Sequence, residues 1–238
     1  MIALLFVLAA GPAVDASVFA GSTLRRLYFR DRLTPTLAGW QSGAMAVAGI
    51  SLQAYPATGK LPVLDDIGAY GSFARSLKSQ TLTADGELAF NTQETTWEMG
   101  LRWRAERGAI SIGYGSLKHD FTGARLPGFL LPAGTVQYWR PGVEGRTGLG
   151  RVVLRGGLGY LLVVRQDFLS ANFPRASKGG VDVFARASMD VWKKVVLTLS
   201  ARYSRFFYSL HPQPYDPYIA GGALDEVFAV DLACGYRL

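Results

Sequence analysis

The chain has 238 residues, 49% of them hydrophobic, and its 25 Lys and Arg against 18 Asp and Glu give a net charge of +7. Apart from two adjacent pairs, the basic residues are scattered along the chain, which argues against nucleic acid as a partner. The single cysteine, Cys234, excludes an internal disulfide and a cysteine-based metal cage.

The N-terminus has the features of a signal peptide. Ile2–Ala10 is an apolar run of the right length, and Val14-Asp15-Ala16 has the small residues of a cleavage site. We therefore expect residues 1–16 to be removed and residues 17–238 to form one domain. No basic residue precedes the apolar run, so a first buried strand or helix stays open as the alternative.

After the N-terminus, the chain divides into short two-faced segments. No stretch of about 18 consecutive apolar residues follows the first dozen, so a membrane-spanning helix is not expected. Hydrophobic residues instead alternate with polar or small ones, as in half-buried strands. Ten segments show this pattern: Val18–Arg30, Ala44–Tyr55, Asp66–Arg75, Thr95–Trp103, Ala109–Gly115, Thr135–Gly145, Val152–Val164, Val181–Val191, Val195–Phe207 and Phe228–Leu238.

Four of the ten segments have one clean apolar face. In Val152–Val164, for example, Leu154, Leu158 and Leu162 share a face, and Arg155 lies on the other. The faces of the first three segments cannot be assigned from the sequence. The lengths of the connections add a second signal, since short and long links alternate from the second pair onward, apart from a link of about ten residues at Pro56–Asp65. Short links lie at Ala105–Gly108, Thr147–Arg151 and Lys193–Lys194, and long ones at Asp31–Ser42, Ser76–Gln93, Lys118–Gly134, Gln166–Gly179 and Leu210–Leu224.

Apolar bulk that faces outward and loops that are long at one end only favour a barrel over a soluble β-sandwich. The chain resembles the small bacterial outer-membrane β-barrel class. Its last segment, which ends in Tyr236-Arg237-Leu238, is similar to the strand signal that the barrel-assembly machinery reads, although that class usually ends in Phe. The resemblance implies an all-β, closed, antiparallel up-and-down transmembrane barrel in the outer membrane, with ten strands and with eight or twelve as alternatives.

The inner face of this barrel is expected to carry charges of both signs. A barrel of about ten strands leaves little free bore, so we expect these side chains to form a paired plug, with a narrow conduit for ions or small solutes as the alternative. The predicted network consists of Glu98, Arg102, Arg140, Glu144, Arg155, Asp182, Arg186, Asp190, Arg202, Asp231 and Arg237.

Two further sets of residues are predicted to meet the membrane. The first is an aromatic girdle of outward residues at the two interfaces, made of Trp103, Trp139, Tyr203, Phe207 and Tyr236. The second is a basic set at the outer rim, where Arg can bind the phosphates of lipopolysaccharide. Its members are Arg165, Arg175, Lys178 and Arg205, and ordinary solvated loop charge is the alternative.

Little in the sequence points to catalysis. The two histidines, His119 and His211, are expected in long outer loops with Asp120 and Asp216, which would suit a protease site at the rim of a ten-stranded barrel. No spacing of His or Cys predicts a metal site, and no cofactor motif occurs. The sequence thus favours a non-enzymatic barrel that acts as a structural, binding or assembly component through its long external loops. A channel ranks second and a rim protease third, and the expected partners are lipopolysaccharide, the barrel-assembly machinery and an envelope protein complex.

Overall fold

A computed structural model describes residues 14–55, 66–83, 89–122 and 133–237. Within these residues the chain forms twelve β-strands and one short helix. In chain order they are β1 (Val14–Arg30), β2 (Trp40–Ser42), β3 (Met45–Ala54), β4 (Ile67–Ser76), β5 (Ser79–Thr83), β6 (Ala89–Ala105), β7 (Gly108–Thr122), β8 (Gly134–Leu149), β9 (Val152–Gln166), α1 (Asp167–Asn172), β10 (Ser177–Trp192), β11 (Val195–Ser209) and β12 (Gly222–Arg237).

The strands form a closed antiparallel ring. Pairing runs from β12 through β11, β10, β9, β8, β7, β6, β4 and β3 to β1, and β1 pairs with β12 from Asp15 to Arg30. Closure pairs the backbone of every strand in the ring, which a strand in hydrocarbon requires. The predicted closed antiparallel barrel is therefore confirmed, and ten strands form its ring.

The two short strands, β2 and β5, extend this ring at one end. Only Gly43 and Ala44 separate β2 from β3, and only Leu77 and Lys78 separate β4 from β5. Because β2 pairs with β1 and β5, and β5 also pairs with β6, they close the sheet where β3 and β4 have ended. β2 and β3 together thus occupy one position in the ten-stranded ring, and β4 and β5 together occupy another. Each of these two strands is interrupted once.

The connections divide the barrel into two different ends. At the turn end, two-residue links at 106–107, 150–151 and 193–194 join neighbouring strands. At the loop end lie the longer segments 31–39, 167–176 and 210–221. The link of residues 56–65 between β3 and β4 falls outside the described residues. Residues 84–88 and 123–132 fall outside them as well. The connections that the structure describes are short at the turn end and long at the loop end, as predicted.

Side chains alternate between an apolar outer face and a polar inner face. Met99, Leu101, Leu158 and Leu162 are all exposed on the outside, as the sequence predicts. The structure also assigns the faces that the sequence left open: Val18, Ile50 and Phe73 point outward from β1, β3 and β4.

At the loop end the strands run further than predicted. β6 begins at Ala89 and β7 continues to Thr122, with Asn91 paired to Thr122. The predicted loops at Ser76–Gln93 and Lys118–Gly134 are thus partly strand. Simple alternation fails there because apolar residues such as Phe90 are buried on the inner face.

The predicted signal peptide stays a prediction. Residues 1–13 lie outside the described residues, and Val14–Ala16 form the first three residues of β1. None of the helices in the described ranges is long and apolar enough to cross a membrane.

Candidate functional site

The loop end of the lumen is filled by an apolar plug. It combines inward side chains of the strands with the helix α1 and with residues of the segments 31–39 and 210–221. Its buried members are Leu37, Leu117, Val136, Tyr138, Leu161, Val163, Phe168, Leu169, Phe173, Phe206, Tyr208, Leu210, Ala220 and Ala223. Such close packing leaves little room for water within this layer.

The helix α1 is fixed onto the plug by its own polar contacts. The side chain of Gln166 accepts a hydrogen bond from the Leu169 amide at the start of the helix. Asp167 accepts a hydrogen bond from the Thr135 amide at 3.2 Å, which ties the helix to β8. Although partial desolvation opposes ionisation, hydrogen bonds from Arg165 and Thr135 lower the pKa of Asp167. The loop over the plug is therefore anchored at neutral pH.

Below the plug, four charged side chains form a closed ionic quartet: Glu98, Arg140, Asp182 and Arg202. Arg140 donates from Nε to Asp182 Oδ1 at 2.7 Å, and Arg202 donates from Nε to Asp182 Oδ2 at 2.6 Å. Arg202 also reaches Glu98 Oε2 at 3.1 Å, and Arg140 Nη1 lies 3.7 Å from Glu98 Oε1. Each charge thus has two opposite neighbours, as buried charges need.

Neutral residues complete the shell of the quartet. Tyr70 donates to Glu98 Oε1 at 3.0 Å, and Ser204 donates to Asp182 Oδ2 at 2.8 Å. Gly113 is required beneath this contact, because a Cβ there would lie 2.3 Å from the Tyr70 hydroxyl. The Gly-Tyr-Gly sequence at 113–115 therefore provides small lumen residues beside the outward Tyr114.

A second buried ionic cluster lies at the loop end between β1, β6 and β12. Arg25 binds Asp225 through two hydrogen bonds of 2.8 and 2.6 Å, and its Nη1 lies 3.2 Å from Glu94 Oε2. Trp40 lies within cation–π distance of Arg25, its ring centroid 5.4 Å from the guanidinium. The sequence does not reveal this cluster, because its members are far apart in the chain.

His119 belongs to this cluster and lies in β7, not in the long outer loop that the sequence predicted. It is 1% exposed, stacks on Trp40 at 4.2 Å between ring centroids, and has Nδ1 3.6 Å from Glu94 Oε2. The strand β7 continues through this position, so the side chain turns inward beneath β2. A substrate at the rim could not reach its imidazole.

The other residues of the predicted rim protease are dispersed. Asp120 pairs with Lys118 at 2.8 Å on the surface. Asp216 binds Arg175, and this hydrogen bond lowers the pKa of Asp216. Among the described residues, no group of three or more His, Cys, Asp or Glu side chains could hold a metal ion.

The turn-end half of the lumen contains two neighbouring cavities. The middle cavity has a volume of about 190 Å³ and the lower cavity one of about 200 Å³. Both are lined by Asp15, Gln53, Arg102, Arg155 and Arg237, so they adjoin one another. We call the two together the vestibule. A third cavity of about 160 Å³ lies between the quartet and the plug.

The eleven predicted network residues all lie on inward strand positions, and most of them are joined by ion pairs. The quartet holds four of them, and Arg102 pairs with Glu144 nearer the turn end. Arg237 donates to Asp190 at 2.8 Å at the turn-end mouth. Arg155 and Arg186 make no ion pair within 4 Å with any described residue. Ion pairs thus join eight of the eleven residues, and the vestibule leaves room around Arg155 and Arg186. The paired plug stays a prediction.

The residues predicted to meet the membrane lie on the outer face and the loop-end rim. Trp103, Trp139, Phe207 and Tyr236 are exposed on the outside, and Tyr203 donates to Glu226 at 2.7 Å. Their role as a girdle stays a prediction. Leu238 of the predicted assembly signal lies outside the described residues.

The four basic rim residues each have a partner. Arg165 donates to Asp167 at 2.6 Å, and Lys178 donates to Ser170 at 3.2 Å. Arg175 binds Asp216, and Arg205 Nε lies 3.8 Å from Glu226. Pairing on an exposed surface leaves these cations accessible to further anions.

Comparisons with known proteins identify the fold. No protein-family model and no curated protein sequence matches the chain. The structure is similar to the outer membrane protease OmpT from Escherichia coli, with a TM-score of 0.57 and 10% identity over 94% of this chain and 96% of that chain. It also matches the translocator domain of the autotransporter NalP from Neisseria meningitidis, with a TM-score of 0.46 and 12% identity over 97% and 90%. An outer membrane channel from Pseudomonas putida F1 matches with a TM-score of 0.46 and 10% identity over 97% of both chains.

The chain therefore has the fold of a bacterial outer-membrane β-barrel. At 10% identity the likeness to OmpT carries the fold and no activity. The apolar outer face needs a lipid environment, so fold and surface together place the chain in the outer membrane. In barrels of this kind the short turns face the periplasm and the long loops face outward.

Proposed function

We propose that this chain is a non-conducting outer-membrane barrel that presents its loop end as a rigid binding surface. The apolar plug carries the proposal, since fourteen buried side chains fill the mouth that a channel would need to keep open. Function on such a scaffold concentrates in the loops. Tyr215, 98% exposed, and Leu33 project from loops that are anchored on the plug.

The candidate partner is a protein of the cell envelope that binds this apolar loop surface. Exposed aromatic and aliphatic side chains held by a rigid scaffold are suited to protein contacts. A channel is the weaker candidate because plug and quartet lie in series across the lumen. A rim protease has less support still, since His119 is buried and its predicted acidic partners are elsewhere.

Thiol labelling in vesicles tests whether the plug seals the lumen. In a Cys234→Ser background, Ser111→Cys places a thiol in the middle cavity, and Tyr215→Cys places one on the outer loop. A small membrane-impermeant thiol reagent is added outside the vesicles. If the plug seals the lumen, a barrel with its loop end outside the vesicle exposes only Tyr215→Cys, and one with its turn end outside exposes only Ser111→Cys. The labelled fractions of the two variants should therefore sum to one. Complete labelling of both variants from outside would contradict the proposal.

Lipopolysaccharide is proposed as the lipid partner of the outer rim. Arg26 and Arg205 converge on Glu226 on the outer face, with Arg26 Nη2 at 2.5 Å and Arg205 Nε at 3.8 Å. Two guanidinium groups beside the outer leaflet suit a phosphate group.

Arg205→Gln should reduce the lipopolysaccharide that stays bound during purification in mild detergent, because one of the two phosphate-binding guanidinium groups is lost. The matched control is Arg151→Gln, which removes an exposed charge at the periplasmic turn. Equal retention by wild type, Arg205→Gln and Arg151→Gln would argue against this contact.

A further inference from the structure

The vestibule contains more positive charge than its own carboxylates neutralise. Besides Arg140 of the quartet, six arginines line the two cavities, and three carboxylates line them: Asp15, Glu144 and Asp231. The six are Arg102, Arg104, Arg146, Arg155, Arg186 and Arg237. Both cavities lie on the periplasmic side of the quartet.

Three of these arginines stand in one row across neighbouring strands. Arg146 of β8 is directly opposite Arg155 of β9, and Arg155 is directly opposite Arg186 of β10. Like charges at directly opposite positions repel each other and destabilise a sheet. We call Arg146, Arg155 and Arg186 the arginine row.

The row is poorly compensated by the protein itself. Arg146 donates to the Glu106 carbonyl at 2.9 Å. Arg155 and Arg186 make no ion pair within 4 Å among the described residues, and the Arg155 Nε is buried without a hydrogen-bond partner there. By contrast, Arg102 pairs with Glu144, and Arg237 pairs with Asp190. The Nε atoms of Arg102 and Arg237 also lack a hydrogen-bond partner, but each of these side chains has a carboxylate within 4 Å. Among the described residues, the row therefore differs from them in having no ion pair.

The wall around the row is shaped to keep these guanidinium groups in place. Arg186 lies over the ring of Phe184, 4.9 Å from its centroid. Gly157 of β9 allows this ring to lie against the strand, because a Cβ there would be 2.6 Å from it. The guanidinium of Arg186 is therefore supported from one side and free to bind a ligand on the other.

We propose that the arginine row binds a phosphate group of a small anion that enters from the periplasm. Planar guanidinium groups donate pairs of hydrogen bonds to phosphate oxygens, and two adjacent guanidiniums match the charge of a phosphate dianion. A cavity of about 190 Å³ next to one of about 200 Å³ holds a phosphate and a small group attached to it. The anion takes the place of the carboxylates that the row lacks.

Signal-peptide cleavage after Ala16 would strengthen this site. Asp15 lines both cavities, and its carboxylate lies 3.7 Å from Arg237 Nε. Removal of residues 1–16 deletes that carboxylate and leaves the positive N-terminus of Ser17 in its place. Binding is therefore measured on protein whose N-terminus has been determined.

The test compares wild type with Arg155→Gln/Arg186→Gln, using purified, folded barrel in detergent with chloride as the background anion. Inorganic phosphate and glycerol phosphate are titrated separately by calorimetry, so that a free phosphate and a phosphate monoester are distinguished. We expect saturable binding of at least one of them to wild type. The double variant should bind at least about tenfold more weakly, because two sets of charge-assisted hydrogen bonds are lost.

Thermal unfolding supplies the second measurement. A misfolded variant would not show the rise in unfolding temperature that is expected of the double variant. Without phosphate, the double variant should unfold at a higher temperature than wild type, since like-charge repulsion is relieved. Phosphate should raise the unfolding temperature of wild type and not that of the double variant. Arg151→Gln, outside the vestibule, should behave as wild type in both measurements.

The proposal would be overturned if wild type shows no saturable binding of either compound. It would also be overturned if the double variant binds as tightly as wild type, or if phosphate stabilises both equally. None of these outcomes bears on the plug, which the thiol labelling tests separately.

Discussion

Replacing Asp182 by Ala should lower the free energy of unfolding of the barrel by about 3–5 kcal/mol. Asp182 is 0% exposed and accepts hydrogen bonds from Arg140, Arg202 and Ser204. Without its carboxylate, two guanidinium groups share only Glu98 inside the barrel. Removal of one partner from a buried ionic cluster leaves uncompensated charge, which is the reason for the large effect.

Urea unfolding of barrels folded into lipid vesicles measures this loss, with the folded fraction read from gel mobility before and after boiling. Asp190→Ala is the matched control on the same strand, because its side chain is 62% exposed and pairs with Arg237 at the periplasmic mouth. An exposed pair contributes little, so the control should lose less than about 1 kcal/mol. Similar losses for the two variants would show that the quartet does not hold the barrel together.

The outer face of the barrel could be predicted where every second residue is a large apolar side chain that faces hydrocarbon. The alternation in β9 and β11 is visible in the sequence because Leu158, Leu162 and Leu199 all face lipid. The same requirement acts on β1 and β3, but small residues such as Ala20 and Ala48 occupy their outer faces. Alanine on the outside and Phe19 on the inside hide the difference between the two faces.

The apolar plug could have been noticed from a departure in the pattern. Leu161, Val163 and Phe206 are apolar residues on faces that otherwise carry polar or small side chains, and all lie towards the loop end of their strands. The sequence does not show that they meet Leu37 and Phe173, because these come from loops whose conformation depends on tertiary packing. The signal was present, but its partners could not be identified.

The ionic clusters differ in how far the sequence can predict them. The sequence predicts Glu98 and Asp182 in the lumen, because side chains of a strand point alternately to its two faces. Joining Arg25 to Asp225 requires the closure of the barrel, since 200 residues separate them. His119 was misplaced for a related reason, because the extension of β7 beyond Gly115 depends on its pairing with β6.

Two barriers in series should prevent ion flow through the lumen. An ion that enters from outside would first meet the plug, which is apolar and closely packed, and then the quartet, whose charges are already paired. A dry apolar layer opposes the entry of an ion, because a desolvated charge is costly. A variant that truncates both barriers, Phe206→Ala with Arg202→Ala, should admit ions. Phe207→Ala is the matched control, because Phe206 is 2% exposed inside the barrel and its neighbour Phe207 is 38% exposed on the outside.

Single-channel recording in planar bilayers tests the central claim, a closed lumen, most directly. Each protein is recorded in a Tyr215→Cys background, whose thiol verifies insertion, so that the absence of current is not due to the absence of protein. We expect no discrete openings from wild type or from Phe207→Ala, and measurable current from the variant that lacks both barriers. Repeated stepwise openings of wild type, of the same size as those of that variant, would contradict the closed barrel.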